Sequence, residues 1–223
     1  MVKTMFLCRR RRDISHERYV ELLSGGHVPI ALRHHPSMRR YVVNIVDESL
    51  GDAPELDSVG SLWFDSADDF HHRLYDSPEG EAIVARDVAG FMGGADAYAT
   101  TEHVQRRRPQ AVSPGDRAPG VKLLVALRRP QGTSHEQFVR HWLERHVPLV
   151  LADPRLRAYV TNVVDAPLRG DPPPLDGIAE LAFDSAEDLG AHVALARESP
   201  LRDDLPRFVG AAFPYRVSEY VQR

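Results

Sequence analysis

The chain has 223 residues, of which 43% are hydrophobic and 27% are charged, and its formal net charge is −4 at pH 7. This balance is typical of a globular protein and excludes the strongly basic surface that a nucleic-acid-binding protein needs. The single cysteine, Cys8, excludes an internal disulfide bond. No apolar run approaches the ~20 residues that span a bilayer, and the chain does not start like a signal peptide. We therefore expect a cytoplasmic protein without a membrane or nucleic-acid partner.

The first half of the chain predicts four strands and two helices. The strands are expected over residues 4–8, 40–47, 59–64 and 98–105. Ser15 is a typical N-cap for the first helix, and Asp65-Ser66 offers an N-cap for the second. Gly25-Gly26 should end or loosen the first helix, and the Val-Pro after His27 should halt helical geometry.

The second half repeats the order of these elements and many of their residues. The matched pairs include Lys3 and Lys122, His27 and His146, Tyr41 and Tyr159, and Glu102 and Glu219. Its strands are expected over residues 123–127, 158–165, 178–183 and 215–222. Ser134 with Gln137 predicts a capping box. The duplication predicts a first copy at 1–108, a Pro-containing linker at 109–119 and a second copy at 120–223.

The order βαββαβ in each copy is that of a ferredoxin-like unit. Both helices of such a unit cover one face of its four-stranded antiparallel sheet, and the other face would stay bare and apolar. We expect the two bare faces to pair within the chain. The result is an α+β fold, a pseudo-dimeric eight-stranded α/β barrel with helices outside and a hydrophobic hollow for one small ligand. Further homodimerisation stays open.

The second copy resembles the EthD family of dimeric α/β-barrel proteins. The residues that carry the resemblance are SHEQFVRHW at 134–142, HVP at 146–148, YVTN at 159–162 and DGIAELAFDS at 176–185. The first copy looks like a diverged member, with Leu23 in place of Trp142 and Ser61 in place of Glu180. The resemblance implies the barrel fold. It also implies a relation to cofactor-free isomerases, dehydratases, cyclases and monooxygenases that act on small aromatic or polyketide-like compounds.

Two histidines and two tyrosines are the first candidates for chemistry. His27 and His146 can take or give a proton near neutral pH, although either ring could instead cap the carbonyls of its helix. Tyr41 and Tyr159 can donate to a developing oxyanion or stack on a substrate ring. A purely structural aromatic at the start of a strand is the alternative for each tyrosine.

Other candidates are expected to face the interior of the barrel. Glu180 shares a strand face that should point inward, where burial would raise its pKa towards that of a general base. An ion pair with an arginine is the alternative. Trp63 either forms a flat wall for an aromatic substrate or simply fills the barrel. The candidate substrate contacts are Tyr41, Asn44, Trp63, Trp142 and Asn162. The asparagines lie three residues after the tyrosines, hence on the opposite strand face unless a bulge intervenes.

Three further features favour structural interpretations. Cys8 aligns with Leu127, which indicates a packed, inert thiol. His34-His35 and His71-His72 lack carboxylate or cysteine partners at ligand spacing, so we expect exposed surface and no metal. The run Arg9–Arg12 predicts a solvated loop after the first strand.

These features favour a cofactor-independent enzyme that performs isomerisation, dehydration or cyclisation on a small hydrophobic compound. His146 would be the acid or base, Glu180 an assisting base and Tyr159 an oxyanion donor, so the second copy would be the working one. The first copy would serve as scaffold, with Trp63 shaping the pocket. The alternatives are an accessory protein that binds a small molecule without turnover, a cofactor-free monooxygenase, and a haem protein with His27 or His146 as axial ligand.

Overall fold

The computed structural model describes residues 1–198 and 200–223. The strands of the first copy are β1 (Val2–Arg10), β2 (Met38–Ser49), β3 (Ser58–Phe64) and β4 (Met92–Arg106). Those of the second are β5 (Val121–Arg128), β6 (Leu156–Pro167), β7 (Gly177–Phe183) and β8 (Ala211–Val221). The helices are α1 (His16–Glu21), α2 (Val28–His34), α3 (Ala67–His71), α4 (Pro78–Phe91), α5 (His135–His141), α6 (Val147–Leu151), α7 (Ala186–Leu195) and α8 (Leu201–Asp204).

The eight strands form one closed antiparallel barrel in the order β1-β3-β2-β8-β5-β7-β6-β4. The two copies meet where β2 pairs with β8 and where β4 pairs with β6, so the predicted fused pseudo-dimer is confirmed. Every residue of β3 and β7 is buried, because helices cover one face of each strand and the barrel interior covers the other.

The sequence predicted that the first helix of each copy ends before its Val-Pro. The structure differs, because helical geometry continues through the Val-Pro in both copies. The chain passes from α1 through a π-helical turn (Leu22–His27) into α2, and from α5 through a second π-helical turn (Trp142–His146) into α6. In an α-helix the ring of Pro29 would clash with the carbonyl of Gly25 four residues earlier. The wider π turn accommodates that ring, and since both copies contain it, the glycine pair is not its cause.

Serine caps begin the helices as the sequence predicts. Ser15 and Ser134 accept hydrogen bonds from the backbone of α1 and α5, and Ser134 forms its capping box with Gln137. Ser66 forms a second capping box, with Asp69, at the start of α3. Each cap stabilises its helix by about 1 kcal/mol.

The barrel interior differs between its two ends. One end is filled by apolar side chains, including Met5, Leu7, Val59, Tyr98, Leu124, Ile178, Tyr215 and Val217. At the other end Lys3 and Lys122, one residue after the starts of β1 and β5, lie buried among carboxylates. The expected hydrophobic hollow is therefore present only in part, since the interior is solid at one end and the space at the other end is lined by charged as well as apolar side chains.

Outside the barrel, each copy packs its helices on its own sheet in a separate apolar layer. The loop after β2 brings Leu50 into the layer of the second copy, and the loop after β6 brings Leu168 into that of the first. The Arg9–Arg12 run is a solvated loop only in its second half: Arg9 and Arg10 belong to β1 and form ion pairs with Asp96 and Asp57, and Arg11 and Arg12 are exposed after the strand. Among the described residues no helix is long and apolar enough to cross a membrane.

Candidate functional site

A network of charges occupies one end of the barrel, and Glu180 lies at its centre. Lys3 donates from Nζ to Glu180 over 2.7 Å and to Glu102 over 2.8 Å. Lys122 forms ion pairs with Glu180 and Glu219. Burial alone would raise the pKa of the Glu180 carboxyl, but the two lysines hold it well below its ordinary range. The general base predicted at Glu180 is therefore contradicted, and the partners are lysines where an arginine was the expected alternative.

The two asparagines belong to this network. Asn162 accepts a 2.7 Å hydrogen bond from Lys3 and donates to Glu180 over 2.9 Å. Asn44 accepts from Lys122 over 2.8 Å. Both therefore face the barrel interior and hold lysine side chains. Trp63 also faces inward, with its indole 4.5 Å from Lys3 Nζ and a 3.4 Å hydrogen bond to Glu102.

The tyrosines and the repeated histidines lie on the other side of the sheet. Tyr159 is part of the helix-facing core of the second copy, where its hydroxyl accepts a 3.2 Å hydrogen bond from Trp142. His146 bonds Asp204 through Nδ1 over 3.0 Å and packs on Phe208. Because the sheet separates them from Glu180, the structure does not bring His146, Tyr159 and Glu180 together in one site.

In the second copy the space between helices and sheet is filled. Trp142 is completely buried and lies so close to β7 that a Cβ atom at Gly177 would collide with its ring. Phe138 packs beside it, and Phe208 packs on Phe138. The indole thus takes the volume that a ligand would need.

In the first copy the same space is open. Leu23 stands in place of Trp142, and a cavity of about 390 Å³ lies between the helices and the outer face of the sheet. The walls are mostly apolar, with Phe6, Leu62 and Phe70 among them. A cavity of this size and character is typical of small-molecule sites.

His27, in the π-helical turn, is the first polar group of this cavity. Its Nδ1 lies 2.8 Å from a carboxylate oxygen of Asp87. A carboxylate accepts the bond, so Nδ1 carries the proton and Nε2 is the basic atom. Burial lowers the pKa of His27 and Asp87 partly opposes that shift, so the ring is neutral at pH 7.

Tyr41 is the second polar group of this cavity, on β2. Burial raises the pKa of its phenol, which stays protonated. Unlike that of Tyr159, its hydroxyl makes no hydrogen bond within the described part of the chain, although its main chain bonds those of Gln222 and Arg223. A hydroxyl that borders the cavity without a protein partner is available to a bound ligand.

Two further side chains of the cavity correct or extend the sequence analysis. His35 was expected on the surface, but it is buried against the cavity just after the end of α2, and its Nδ1 bonds the Leu74 carbonyl over 3.1 Å. Burial lowers the pKa of His35 to about 4. Arg169, from the second copy, lies exposed at the rim.

The other paired histidines lie outside the cavity. His34 is half-buried beside Asp76, whereas His71 and His72 are exposed as predicted.

Cys8 also borders this cavity. Its side chain is buried, as predicted, and burial raises the pKa of the thiol to about 12. A thiol with such a pKa is protonated at pH 7 and is a poor nucleophile.

Sequence reasoning missed Asp87, the partner of His27. The repeat contained a signal for it, because Asp204 stands at the matching position of the second copy and bonds His146. The lysines Lys3 and Lys122 were noticed only as matched residues. Their inward direction follows from the same alternation that turned Glu180 inward.

The closed eight-stranded barrel with external helices defines a dimeric α/β-barrel protein. The EthD domain matches residues 11–95 and 130–211, more than half of the chain, and the chain belongs to this family. The resemblance drawn from the second copy is confirmed, and each copy contains one matched segment.

Solved structures share the fold. An anthrone oxidase-like protein has 11% identity and a TM-score of 0.70, covering 99% of this chain and 93% of its own. A protein of Fusobacterium nucleatum subsp. nucleatum, provisionally described as a monooxygenase, has 5% identity and a TM-score of 0.60, and the match covers 100% of this chain and 92% of that protein. A chlorite dismutase variant from Candidatus Nitrospira defluvii has 11% identity and a TM-score of 0.51, and the match covers 97% of this chain and 90% of the dismutase. A search of curated protein sequences found no match.

Proposed function

We propose that this protein is a small-molecule enzyme whose working site is the cavity between helices and sheet of the first copy. The substrate is a flat, hydrophobic, oxygenated compound of aromatic or polyketide-like type. His27 is the general base and Tyr41 donates to the oxygen on which charge develops. The roles first assigned to His146 and Tyr159 thus pass to their counterparts in the other copy.

One observation carries this proposal: an apolar cavity contains a neutral histidine and a phenol whose hydroxyl has no partner among the described residues. His27 and Tyr41 both border the 390 Å³ space. In the second copy the equivalent tyrosine is satisfied by Trp142, and the space is closed. Titratable groups in a cleft are the usual candidates for acid–base chemistry.

The chemistry begins with removal of an acidic C–H proton beside a carbonyl group. Nε2 of His27 takes the proton, and the Tyr41 hydroxyl donates a hydrogen bond to the enolate oxygen. Asp87 orients the ring through Nδ1 and stabilises the imidazolium that forms, so it is a positioning residue. Return of the proton at another carbon completes an isomerisation, and loss of water or ring closure completes a dehydration or cyclisation.

A cofactor-free monooxygenase is the second candidate, favoured by the similarity to the anthrone oxidase-like protein. The first step is the same, but the carbanion then reacts with molecular oxygen. For anthrone the balanced reaction is anthrone plus O₂ giving anthraquinone plus water. Binding without turnover is the third outcome that the same cavity allows.

Proton exchange on anthrone tests the proposal directly. Under nitrogen in D₂O, the parent protein should accelerate exchange of the anthrone methylene hydrogens, followed by NMR. His27→Gln should slow this exchange by about 10²- to 10⁴-fold, the usual contribution of a general base. The matched variant His146→Gln should retain it. Equal losses in both variants would contradict the assignment of the site to the first copy.

Repeating the anthrone assay in air distinguishes the remaining alternatives. Oxygen uptake with anthraquinone formation would support the monooxygenase, and exchange without oxygen uptake would support the isomerase-type enzyme. Anthrone binding without exchange would leave a binding protein. A Soret band in the purified protein would instead indicate a haem protein.

A further inference from the structure

A second cavity lies inside the charged end of the barrel. Its volume is about 490 Å³, and its walls come from both copies and from the linker that follows β4. The sheet separates it from the cavity that contains His27. Nothing in the proposed reaction uses it, so the two sites are independent.

The wall of this pocket has more positive than negative charge. Its three carboxylates are Glu102, Glu180 and Glu219. Lys3 and Lys122 form ion pairs with all three, and Arg108 lies within 3.4 Å of Glu219. These three positive charges balance the three carboxylates.

Four arginines of the pocket are left without a carboxylate in the described part of the chain. They are Arg40, Arg106, Arg107 and Arg223. Arg106 and Arg223 donate to main-chain carbonyls, including those of Leu156 and Met38, which hold the groups in place but leave their charge unbalanced. Uncompensated guanidinium groups around a cavity favour an anion.

The shape of the pocket comes from a difference between the copies. Arg40 and Trp63 are paired across β2 and β3, and the Arg40 guanidinium lies 4.5 Å from the centre of the indole ring. The equivalent pair across β6 and β7 is Ala158 with Ala182. The small side chains leave room opposite the indole, so one wall is flat and aromatic and the other is recessed. Val42, Val160 and Val221 add apolar surface.

We propose that this pocket binds a small aromatic carboxylate, with its ring beside Trp63 and its carboxylate held by Arg40. The recess at Ala158 and Ala182 accommodates the ring, and Arg40, held against the indole, presents its guanidinium to the carboxylate. Arg107, exposed at the same end, adds to the attraction of the anion from solvent. Arginine suits this task because its planar fork binds a carboxylate through two parallel hydrogen bonds.

The test uses 1-naphthoate and its neutral analogue 1-naphthamide in titration calorimetry on the full chain. We expect naphthoate to bind at least about tenfold more tightly than the amide, because a charged hydrogen bond is lost with the amide. Added salt should weaken naphthoate and leave the amide unchanged. Arg40→Ala should weaken naphthoate by about tenfold. Arg39→Ala is the matched control: this neighbour on β2 is exposed and pairs with Asp65.

The chain's two tryptophans report which cavity is occupied. In ¹⁵N-labelled protein, naphthoate should shift the indole N–H signal of Trp63 and leave that of Trp142 in place. It should still bind when Leu23→Trp/Ser58→Gly fills the other cavity, which keeps this test separate from that of the proposed enzyme. No binding, equal affinity for the two compounds, or an unmoved Trp63 signal would overturn the proposal.

Discussion

The helix-facing layers of the two copies have the same framework and different interiors. Both contain a π-helical turn, and in both a histidine in that turn bonds an aspartate, His27 with Asp87 and His146 with Asp204. In one layer the tryptophan fills the space, and in the other Leu23 leaves it open. The histidine–aspartate pair alone therefore does not define a site. The free volume beside it does.

The exchange of Trp142 for Leu23 between the copies also explains why the hydroxyl groups of Tyr159 and Tyr41 have different environments. Tyr159 has a hydrogen-bond partner in the indole of Trp142, so its hydroxyl is part of a core. Tyr41 has no such partner, because Leu23 stands at the equivalent position. This one difference between the copies both leaves a cavity open and leaves the Tyr41 hydroxyl free to bind a ligand.

Filling the open cavity should have the largest effect on activity. In Leu23→Trp/Ser58→Gly the first copy acquires the tryptophan and the glycine on which the second copy packs it. We expect loss of anthrone binding and of proton exchange, because the indole takes the substrate's place. Calorimetry and NMR exchange measure the two losses, and circular dichroism should show a folded protein.

The reciprocal variant Trp142→Leu is the control for that experiment. It should lower the free energy of unfolding by about 2–5 kcal/mol through the cavity it creates. Exchange on anthrone should continue at least at the parent rate where the protein is folded, because the first copy is unchanged and the second acquires an open space beside His146 and Tyr159. If Trp142→Leu abolished exchange and the filled first copy retained it, the roles of the two copies would be reversed.

Inside the barrel, Glu180 and its counterpart Ser61 should respond very differently. Glu180→Gln leaves two buried lysines short of a negative charge and should cost about 3–5 kcal/mol in denaturant unfolding. Ser61→Ala removes a buried hydroxyl that has no hydrogen-bond partner in the part of the chain that the structure describes, and it should be neutral or slightly stabilising. Comparable losses in both variants would contradict the charge network described here.

The two tyrosines should separate activity from stability. Tyr41→Phe should slow proton exchange by about 10²-fold, the typical loss of an oxyanion donor, with little change in stability. Tyr159→Phe should cost about 1 kcal/mol of stability through its lost hydrogen bond and leave exchange intact. An unaffected exchange rate in Tyr41→Phe would remove that residue from the mechanism.

Acid should destabilise the first copy before the second. An unfolded histidine binds a proton near pH 6.5, whereas burial lowers the pKa of His35 to about 4. Between these values the unfolded state binds more protons, so stability is lost as pH falls through this window, by about 2 kcal/mol between pH 7 and 5.

The matching residue of the second copy is Asp153. Burial alone would raise its pKa, but hydrogen bonds from Arg155 and His192 lower it to about 2. Its contribution is present above its ordinary pKa and is lost only below about pH 4. Hydrogen exchange at pH 5 should therefore show the helices of the first copy opening more readily. The pH effect should shrink in His35→Gln, and equal opening of both copies would contradict this account.

The sequence predicted the barrel well because the repeat doubled every local signal. Strand alternation and serine caps placed the elements, and the opposed faces of Tyr41 and Asn44 followed from strand periodicity. The location of the cavity could not be predicted from these local signals. It depends on how the side chains of helices and sheet fill the space between them, and the sequence showed only that Leu23 stands in place of Trp142. The environment of Glu180 likewise depends on Lys3 and Lys122, which other strands bring to it.

The central claim is that only the first copy has an open apolar cavity between its helices and its sheet in the described part of the chain. Diffraction from crystals under xenon pressure tests it most directly, since xenon enters apolar cavities without needing a specific contact. Xenon should appear between Leu23, Tyr41 and Phe70, and none should appear beside Trp142. Xenon beside Trp142, or none in the first copy, would contradict the account.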